Sequence, residues 1–231
     1  MRICGIQKTS LVDWPGHIAT VIFTGGCNFS CPYCHNSGLI PMNAEPIMTT
    51  GDTLKMLRTR YHLIDSVVIS GGEPTLQPDL IGFCKEVKKI GLKIKLDTNG
   101  SNPDILKKLV EDKLVDYVAM DVKDAKGWYG TYIGYELSHM VHDVDISISY
   151  LKQAGIPYEF RTTAVEGLHT LDDFEQIGKW IKDAERYYIQ NFRAADTVPA
   201  LSYLKPFSEA ELKEFASIVR PYVKEVQLRG I

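Results

Sequence analysis

One repeating unit along the chain limits its possible folds more than any other feature of the sequence. A short run rich in β-branched residues is followed by a polar or glycine-rich turn, and then by a stretch with the apolar spacing of an amphipathic helix. Strands that alternate with helices indicate βαβ units, and therefore a parallel sheet with right-handed crossovers. The predicted strands are residues 18–24, 66–70, 92–97, 117–122, 158–163 and 187–192.

The stretches between these strands carry helix signals. Residues 79–90 place their apolar side chains, including Cys84, on one face, and Gly91 follows as a C-terminal stop. Thr50 or Asp52 is predicted to cap the helix that precedes residues 79–90. The Asn-Pro-Asp turn at 102–104 is predicted to open the helix that follows them.

The number of strands limits the architecture. Six strands are too few for a closed eight-stranded barrel, which takes about 250 residues. We therefore predict one domain, residues 1–231, folded as a partial, open, TIM-like (β/α)6 barrel with a mostly parallel sheet. A flat doubly wound sheet is the second choice. In both folds ligands bind at the carboxyl ends of the strands.

Charge and composition exclude some classes of function. Lys and Arg total 26 against 29 Asp and Glu, a formal net charge of −3, so the basic surplus of a nucleic-acid binder is absent. No stretch approaches the roughly 20 apolar residues that span a bilayer, and the N-terminus lacks the apolar core of a secretory signal. We expect a cytoplasmic protein with reduced thiols and with neither nucleic acid nor membrane as a partner.

Three of the five cysteines fall within eight residues. Cys27, Cys31 and Cys34 form a C-x3-C-x2-C loop that can offer three thiolates to one metal centre. A structural zinc site needs a fourth ligand, and His35 directly follows Cys34, so the two rarely reach one tetrahedral ion. A [4Fe–4S] cluster normally takes four cysteines as well, and three leave one iron open. Cys84 is expected in a helix core, and Cys4 is left without a role.

With Tyr33 before its third cysteine, this loop resembles the signature of the radical S-adenosylmethionine (SAM) enzymes. The resemblance implies that Cys27, Cys31 and Cys34 are catalytic ligands of a [4Fe–4S] cluster. It also implies that the methionine moiety of SAM binds the open iron. His35 and the asparagine after it match the residues that follow the third cysteine in glycyl-radical activating enzymes.

Further motifs support this resemblance at the ends of later strands. Gly-Gly-Glu-Pro at 71–74 resembles the motif that contacts the methionine amino group. Asp-Thr-Asn-Gly at 97–100 and Asp-Val-Lys at 121–123 resemble segments that line the pocket for ribose and carboxylate in the activating enzymes, where Lys123 would pair with the carboxylate. Arg161 and Asn191 end the next two strands, and for them a structural role stays equally open. The implied cofactor-binding residues are Tyr33, His35, Gly71, Gly72, Glu73, Pro74, Asp97, Thr98, Asn99, Asp121, Val122, Lys123, Arg161 and Asn191.

Residues 5–36 most resemble the activating proteins of anaerobic ribonucleotide reductase, with Asp13 in a D-x-P-G turn that is assigned to the substrate loop. The implied reaction is reductive cleavage of SAM, followed by hydrogen abstraction from a glycine of a partner enzyme. Ribonucleotide reductase is the leading partner, ahead of formate acetyltransferase-type enzymes. Because no second cysteine cluster exists, electrons would come from an external donor such as flavodoxin or ferredoxin.

Two alternatives stay open on the sequence. One is a radical SAM enzyme that acts on a small molecule, for example a 7-carboxy-7-deazaguanine synthase-like reaction, and the other is a non-enzymatic zinc-binding module. The aromatic and glycine-rich stretch 127–135 is expected to pack under a long loop or to shape the substrate mouth. No role is assigned to His62, His139, His142 or His169.

Overall fold

A computed structural model describes residues 1–133 and 139–231. Gly134 and Tyr135, at the end of the aromatic stretch, lie outside the described residues. The strands form an eight-stranded sheet whose order along the sheet is the order along the chain. Its strands are β1 Ile3–Ser10, β2 Ala19–Thr24, β3 Ser66–Gly71, β4 Lys93–Thr98, β5 Tyr117–Asp121, β6 Tyr158–Ala164, β7 Arg186–Asn191 and β8 Glu225–Arg229.

The sheet confirms the predicted class, an open α/β fold with mostly parallel strands. β1 pairs antiparallel with β2, whereas β3 and β4 continue from β2 in parallel, and β6, β7 and β8 are also parallel to one another. The six predicted strands correspond to β2 through β7, so the prediction missed two. β1 exposes Gln7, Lys8 and Thr9 in succession, and β8 has no fully buried residue. Neither strand therefore contains the apolar run that marks a central strand.

The helices follow the predicted spacing. α2 buries Leu80, Phe83, Cys84 and Val87, and Gly91 ends it in the left-handed conformation with φ of 94°, as predicted. The cap of α1 is Thr49, because Thr50 and Asp52 already lie inside the helix. The helices are α1 Thr50–Arg60, α2 Leu80–Ile90, α3 Pro103–Glu111, α4 Gly130–Ile133, α5 Met140–Leu151, α6 Leu171–Trp180 and α7 Glu209–Val219.

The chain divides into two compact units. The first unit contains residues 1–28, 38–98 and 102–119, and the second contains residues 29–37, 99–101 and 120–231. The core of the first unit includes Trp14, Ala19, Val21 and Val68. In the second, the rings of Phe174 in α6 and Phe215 in α7 stack with centroids 4.3 Å apart. The single-domain assignment stays a prediction.

Among the described residues, no helix combines the length and the apolar character that crossing a bilayer requires.

Candidate active site

The Gly-Gly-Glu turn of the first unit packs directly on the chain that leads into the cysteine loop. Gly72 N–H donates to the Thr24 carbonyl and Glu73 N–H to the Gly26 carbonyl, each at 2.8 Å. A Cβ at Gly72 would lie 2.2 Å from the Gly26 oxygen, and one at Gly71 would lie 2.3 Å from the Thr24 nitrogen. Glycine is therefore required here because two backbone segments touch. A second contact fixes the start of the cysteine loop, because Cys27 N–H donates to the Ile40 carbonyl at 3.0 Å.

Glu73 is fully buried. Its Oε1 accepts from Thr75 N–H at 3.0 Å, from the Thr75 hydroxyl at 2.6 Å and from the Thr98 hydroxyl at 2.7 Å. These bonds cap the short 3-10 turn that begins at Pro74. They also tie the Gly-Gly-Glu motif to the Asp-Thr-Asn-Gly motif, because Thr98 ends β4. The structure thus joins two motifs that lie 25 positions apart in the sequence.

A buried lysine in the first unit was missed by the sequence analysis. Lys95 is 3% exposed, and its ammonium donates to the Asp13 carbonyl at 2.7 Å and lies 3.0 Å from Oδ1 of Asp97. The Asp13 carboxylate accepts from the Ser10 hydroxyl within its own turn. Lys95 and Asp97 are two positions apart in β4 and so point to the same face, a pattern that could have revealed the pair. Asp13 stays a predicted substrate-loop residue, with its carbonyl engaged by Lys95.

A second missed residue is Gln77. It is 4% exposed, its amide nitrogen donates to the Gly25 carbonyl at 2.8 Å, and its amide oxygen accepts from Arg2 N–H at 2.8 Å. It therefore holds the chain just before Cys27. No local sequence signal points to it, because a lone glutamine after a proline-led turn is normally exposed.

In the second unit, Cys31 is buried and Cys34 is partly buried. Burial raises the pKa of the Cys31 thiol to about 11, while the nearby Lys123 ammonium acts in the opposite direction. Burial also raises the pKa of Cys34, against a hydrogen bond from Asn36 N–H and the charge of Lys123. Both thiols therefore lie within the field of one cation, which partly offsets the effect of burial on their pKa values. All five cysteines are thiols and not disulfides.

Asp121, Lys123 and Arg161 form an ion cluster in the second unit. Oδ2 of Asp121 lies 2.8 Å from the Lys123 ammonium, and its Oδ1 lies 2.8 Å from Nε of Arg161. Burial opposes the charge of Asp121, but Arg161 and Lys123 lower the pKa of its carboxyl to about 2. Two cations that meet at one carboxylate are groups of the kind that bind anionic ligands. The structure thus brings three predicted residues together.

The backbone around this cluster is fixed by β6. Val122 N–H donates to the Arg161 carbonyl at 2.8 Å, and the Thr162 hydroxyl donates to the Val122 carbonyl at 2.6 Å. The Val122 side chain is buried, so its contribution at the site is through its backbone.

Asn99 and Asn191 are both engaged within the protein. The Asn99 carbonyl oxygen accepts from Ser101 N–H at 3.0 Å and from the Ser101 hydroxyl at 2.6 Å, which closes an Asx turn. The Asn191 amide donates to the Phe207 carbonyl at 2.9 Å and accepts from Phe207 N–H at 3.0 Å. These bonds give the Asn191 amide a structural contact, and its contact with the cofactor stays a prediction.

His35 lines a cavity of about 350 Å³ at the carboxyl ends of β6, β7 and β8. Its Nε2 lies 2.6 Å from the Arg193 carbonyl, and its ring lies 5.6 Å from that of Phe192. The other lining residues are Thr163, Gln190, Asn191, Arg193, Arg229 and Gly230.

A buried polar network in the second unit was also missed. The Tyr132 hydroxyl donates to Asp124 at 2.7 Å, and the Tyr132 carbonyl accepts from Ser30 N–H, in the cysteine loop, at 2.8 Å. His169 is 5% exposed and bonds to the main chain of Lys123. Isolated Asp, Tyr and His residues carry no pattern that identifies such a network, because its members are distant along the chain. His169, to which the sequence analysis assigned no role, is therefore an interior residue.

Comparison with known proteins decides the family to which this arrangement belongs. The family model of the radical SAM superfamily matches residues 21–181. The chain belongs to the radical SAM superfamily. It is 35% identical over 241 aligned residues to a protein of Methanocaldococcus jannaschii whose name assigns it to the glycyl-radical enzyme activating enzymes, across 99% of this chain and 96% of that protein. The chain accordingly groups with the glycyl-radical enzyme activating enzymes of the superfamily.

Two further matches cover less of the proteins compared. The pyruvate formate-lyase-activating enzyme of Clostridium pasteurianum is 37% identical over 127 residues, which cover 53% of this chain and 52% of that enzyme. The crystal structure of Streptococcus suis SuiB bound to its precursor peptide SuiA matches with a TM-score of 0.68 at 15% identity, over 91% of this chain and 48% of SuiB. The chain thus spans about half the length of SuiB, and this likeness shows the fold.

Membership in this superfamily implies a [4Fe–4S] cluster and SAM as cofactors, as the motifs predicted. The donor chemistry of the described residues suits both groups. The donor set is a loop of thiols, the ligands that such clusters take, and a cation lies in the field of two of them. The Tyr33 hydroxyl between those cysteines is buried and has no hydrogen-bond partner among the described residues. Within the same residues, no three His, Cys, Asp or Glu side chains are placed to hold a single metal ion.

Proposed function

We propose that this chain generates a glycyl radical on a partner enzyme, with anaerobic ribonucleotide reductase as the leading candidate. The observation that carries the proposal is the cluster of the two cations Lys123 and Arg161 at Asp121, with Lys123 in the electrostatic field of the Cys31 thiol. An anion-binding group beside a cluster loop suits the carboxylate of a methionine moiety. The full-length likeness to a protein named as a glycyl-radical enzyme activating enzyme supports the reaction class.

The proposed roles of the residues agree with their chemistry and contacts. Cys27, Cys31 and Cys34 hold the cluster, which together with SAM supplies one-electron cleavage of a carbon–sulfur bond and a carbon radical able to abstract hydrogen. Lys123 and Arg161 bind the carboxylate, and Asp121 orients both of them. Gly71 and Gly72 allow the turn to pack close to the chain before Cys27. Glu73 holds the shape of that turn, because its Oε1 already accepts three hydrogen bonds.

The Asp-Thr-Asn-Gly motif and the cysteine loop supply the remaining contacts of the proposed cofactor site. Asp97, Thr98 and Asn99 shape the edge that receives the ribose, and Tyr33 and His35 flank the cofactor from the cysteine loop. Electrons come from an external one-electron donor such as flavodoxin or ferredoxin. A cytoplasmic location is supported by five cysteines that form no disulfide.

The decisive experiment is an anaerobic incubation of the cluster-loaded protein with SAM, a reductant and purified anaerobic ribonucleotide reductase. We expect methionine and 5′-deoxyadenosine to form and a glycyl-radical signal to develop on the reductase in electron paramagnetic resonance. Cys34→Ala should abolish both, because it removes a cluster ligand. The matched control Cys84→Ala, in the buried face of α2, should retain both.

Other outcomes of this incubation would change either the partner, the reaction or the assignment of the cluster loop. SAM cleavage that leaves ribonucleotide reductase without a radical, but places one on a formate acetyltransferase-type enzyme, would replace the partner and keep the reaction. Cleavage that is coupled only to turnover of a deazapurine precursor would favour the small-molecule alternative. Full cleavage by Cys34→Ala would overturn the assignment of the cluster loop.

A further inference from the structure

We propose that Tyr129 and His169 are positioning residues that fix the main chain of Lys123, and thereby the place of its ammonium group. The Lys123 N–H donates to the Tyr129 hydroxyl at 2.9 Å, and the Lys123 carbonyl lies 2.9 Å from Nε2 of His169. β5 ends at Asp121, so beyond the strand two side chains supply partners for both main-chain polar groups of Lys123, its N–H and its carbonyl. The inference rests on the proposed role of Lys123 in binding the SAM carboxylate.

The hydrogen-bond partners of His169 define its tautomer. Its Nδ1 lies 3.1 Å from Val165 N–H, which can only donate, and its Nε2 faces the Lys123 carbonyl, which can only accept. The ring is therefore neutral, with the proton on Nε2. In this form His169 joins the loop after β6 to the segment after β5, which links two strand ends of the second unit.

Ring packing holds the Tyr129 hydroxyl in place. Tyr129 is fully buried, and its ring packs edge-on against Trp180 at 5.4 Å and Phe29 at 6.4 Å between centroids. The phenol therefore cannot follow Lys123 if that peptide moves. Phe29 belongs to the cysteine loop, so the same ring contacts the loop that carries Cys31 and receives the Lys123 peptide.

The fixed main chain of Lys123 also limits where its side chain can place the ammonium group. Its ammonium lies 2.8 Å from Asp121, which is itself 2.8 Å from Arg161. A shift of the Lys123 peptide would move the ammonium relative to Arg161, although neither charge would be lost. Loss of either main-chain bond should thus weaken the binding of an anion at these two cations without removing a group that touches it.

The test measures SAM affinity by equilibrium dialysis of the anaerobic, cluster-loaded protein, with iron content as the check on loading. Tyr129→Phe removes the acceptor of the Lys123 N–H and should weaken SAM binding about tenfold, the loss expected for one buried hydrogen bond. Tyr158→Phe is the matched control, because the Tyr158 hydroxyl also accepts a backbone N–H, from Glu185 at 3.1 Å. It should leave the affinity unchanged at a similar cost in thermal stability.

Two substitutions at His169 separate its two hydrogen bonds. Glutamine places an amide N–H near the position of Nε2, and asparagine places a carbonyl oxygen near the position of Nδ1. His169→Gln should therefore retain SAM affinity close to that of the wild type, whereas His169→Asn should lose about tenfold. In the cofactor-free protein, hydrogen exchange at the Lys123 amide should accelerate in Tyr129→Phe and stay slow in Tyr158→Phe.

Equal SAM affinity in Tyr129→Phe, Tyr158→Phe and the wild type, at equal iron content, would overturn the positioning role. So would equal losses in His169→Gln and His169→Asn. Lys123→Ala separates this failure from failure of the proposed function. If Lys123→Ala binds SAM as the wild type does, Lys123 does not bind the carboxylate. If it binds weakly while the positioning variants bind normally, only the present inference is wrong.

Discussion

At the scale of single residues, a close contact between two backbone segments requires glycine at position 72. Gly72 lies where a Cβ would approach the Gly26 oxygen to 2.2 Å, and that oxygen belongs to the main chain and cannot rotate away. The glycine pair was assigned from the sequence to a motif that contacts the methionine amino group of SAM. The contact that the structure shows is with the protein's own chain, at the residue directly before Cys27.

Gly72→Ala is therefore expected to destabilise the protein by about 3 kcal/mol, because the turn and the chain before Cys27 must separate. Gly82→Ala is the control, since a Cβ there meets nothing within 4 Å on the exposed side of α2. It should stabilise by up to about 1 kcal/mol through helix propensity. Urea unfolding of the cofactor-free protein measures both. Equal stability of the two variants would contradict the packing requirement.

At the scale of elements, the starts of α6 and α7 are set by local signals, whereas the edge strands β1 and β8 are not. Ser208 and Glu211 form a reciprocal capping box at the start of α7, as Thr170 and Asp173 do for α6. Such caps are readable from a few adjacent residues. β1 and β8 depend on pairing with a neighbouring strand, and their own composition is polar, so only the sheet defines them.

Ser208→Ala should lower the free energy of unfolding by about 1 kcal/mol, because it leaves the Glu211 N–H without its side-chain acceptor. The control is Ser217→Ala in the interior of the same helix, where the hydroxyl only donates back to the Lys213 carbonyl. That change should be neutral or slightly stabilising. A thermal melt of each variant, followed by circular dichroism, makes the comparison, and an equal midpoint for both would argue against the cap.

At the scale of the whole molecule, the ion cluster connects site chemistry to global stability. The carboxyl of Asp121 has its pKa lowered from 3.8 to about 2. A carboxyl whose pKa is lower in the folded state than in the unfolded state stabilises the folded state at any pH above the unfolded-state pKa. This stabilisation is lost as the pH falls to the folded-state pKa. The contribution is about 2 kcal/mol at neutral pH and disappears between about pH 4 and pH 2.

Asp121→Asn should consequently be less stable than the wild type at pH 7, since Lys123 and Arg161 lose their shared partner. The two proteins should converge in stability as the pH falls from about 4 to about 2. Asp52→Asn serves as the control: its pKa is also lowered, by Thr49 and Lys55, but this carboxyl is exposed and should contribute little. Urea midpoints across this pH range provide the measurement. Parallel curves for wild type and Asp121→Asn would contradict the linkage.

The sequence by itself determined the class of fold, the order of the central strands and the identity of the cysteine loop and strand-end motifs. These properties follow from patterns a few residues long: β-branched runs, helical spacing and cysteine spacing. The tertiary structure alone decided which partners these residues have. Lys95 reaches Asp13 across 82 positions, Arg161 reaches Asp121 across 40, and His169 bonds Lys123 across 46. No local pattern encodes such contacts, because they depend on which strand ends the folded sheet places side by side.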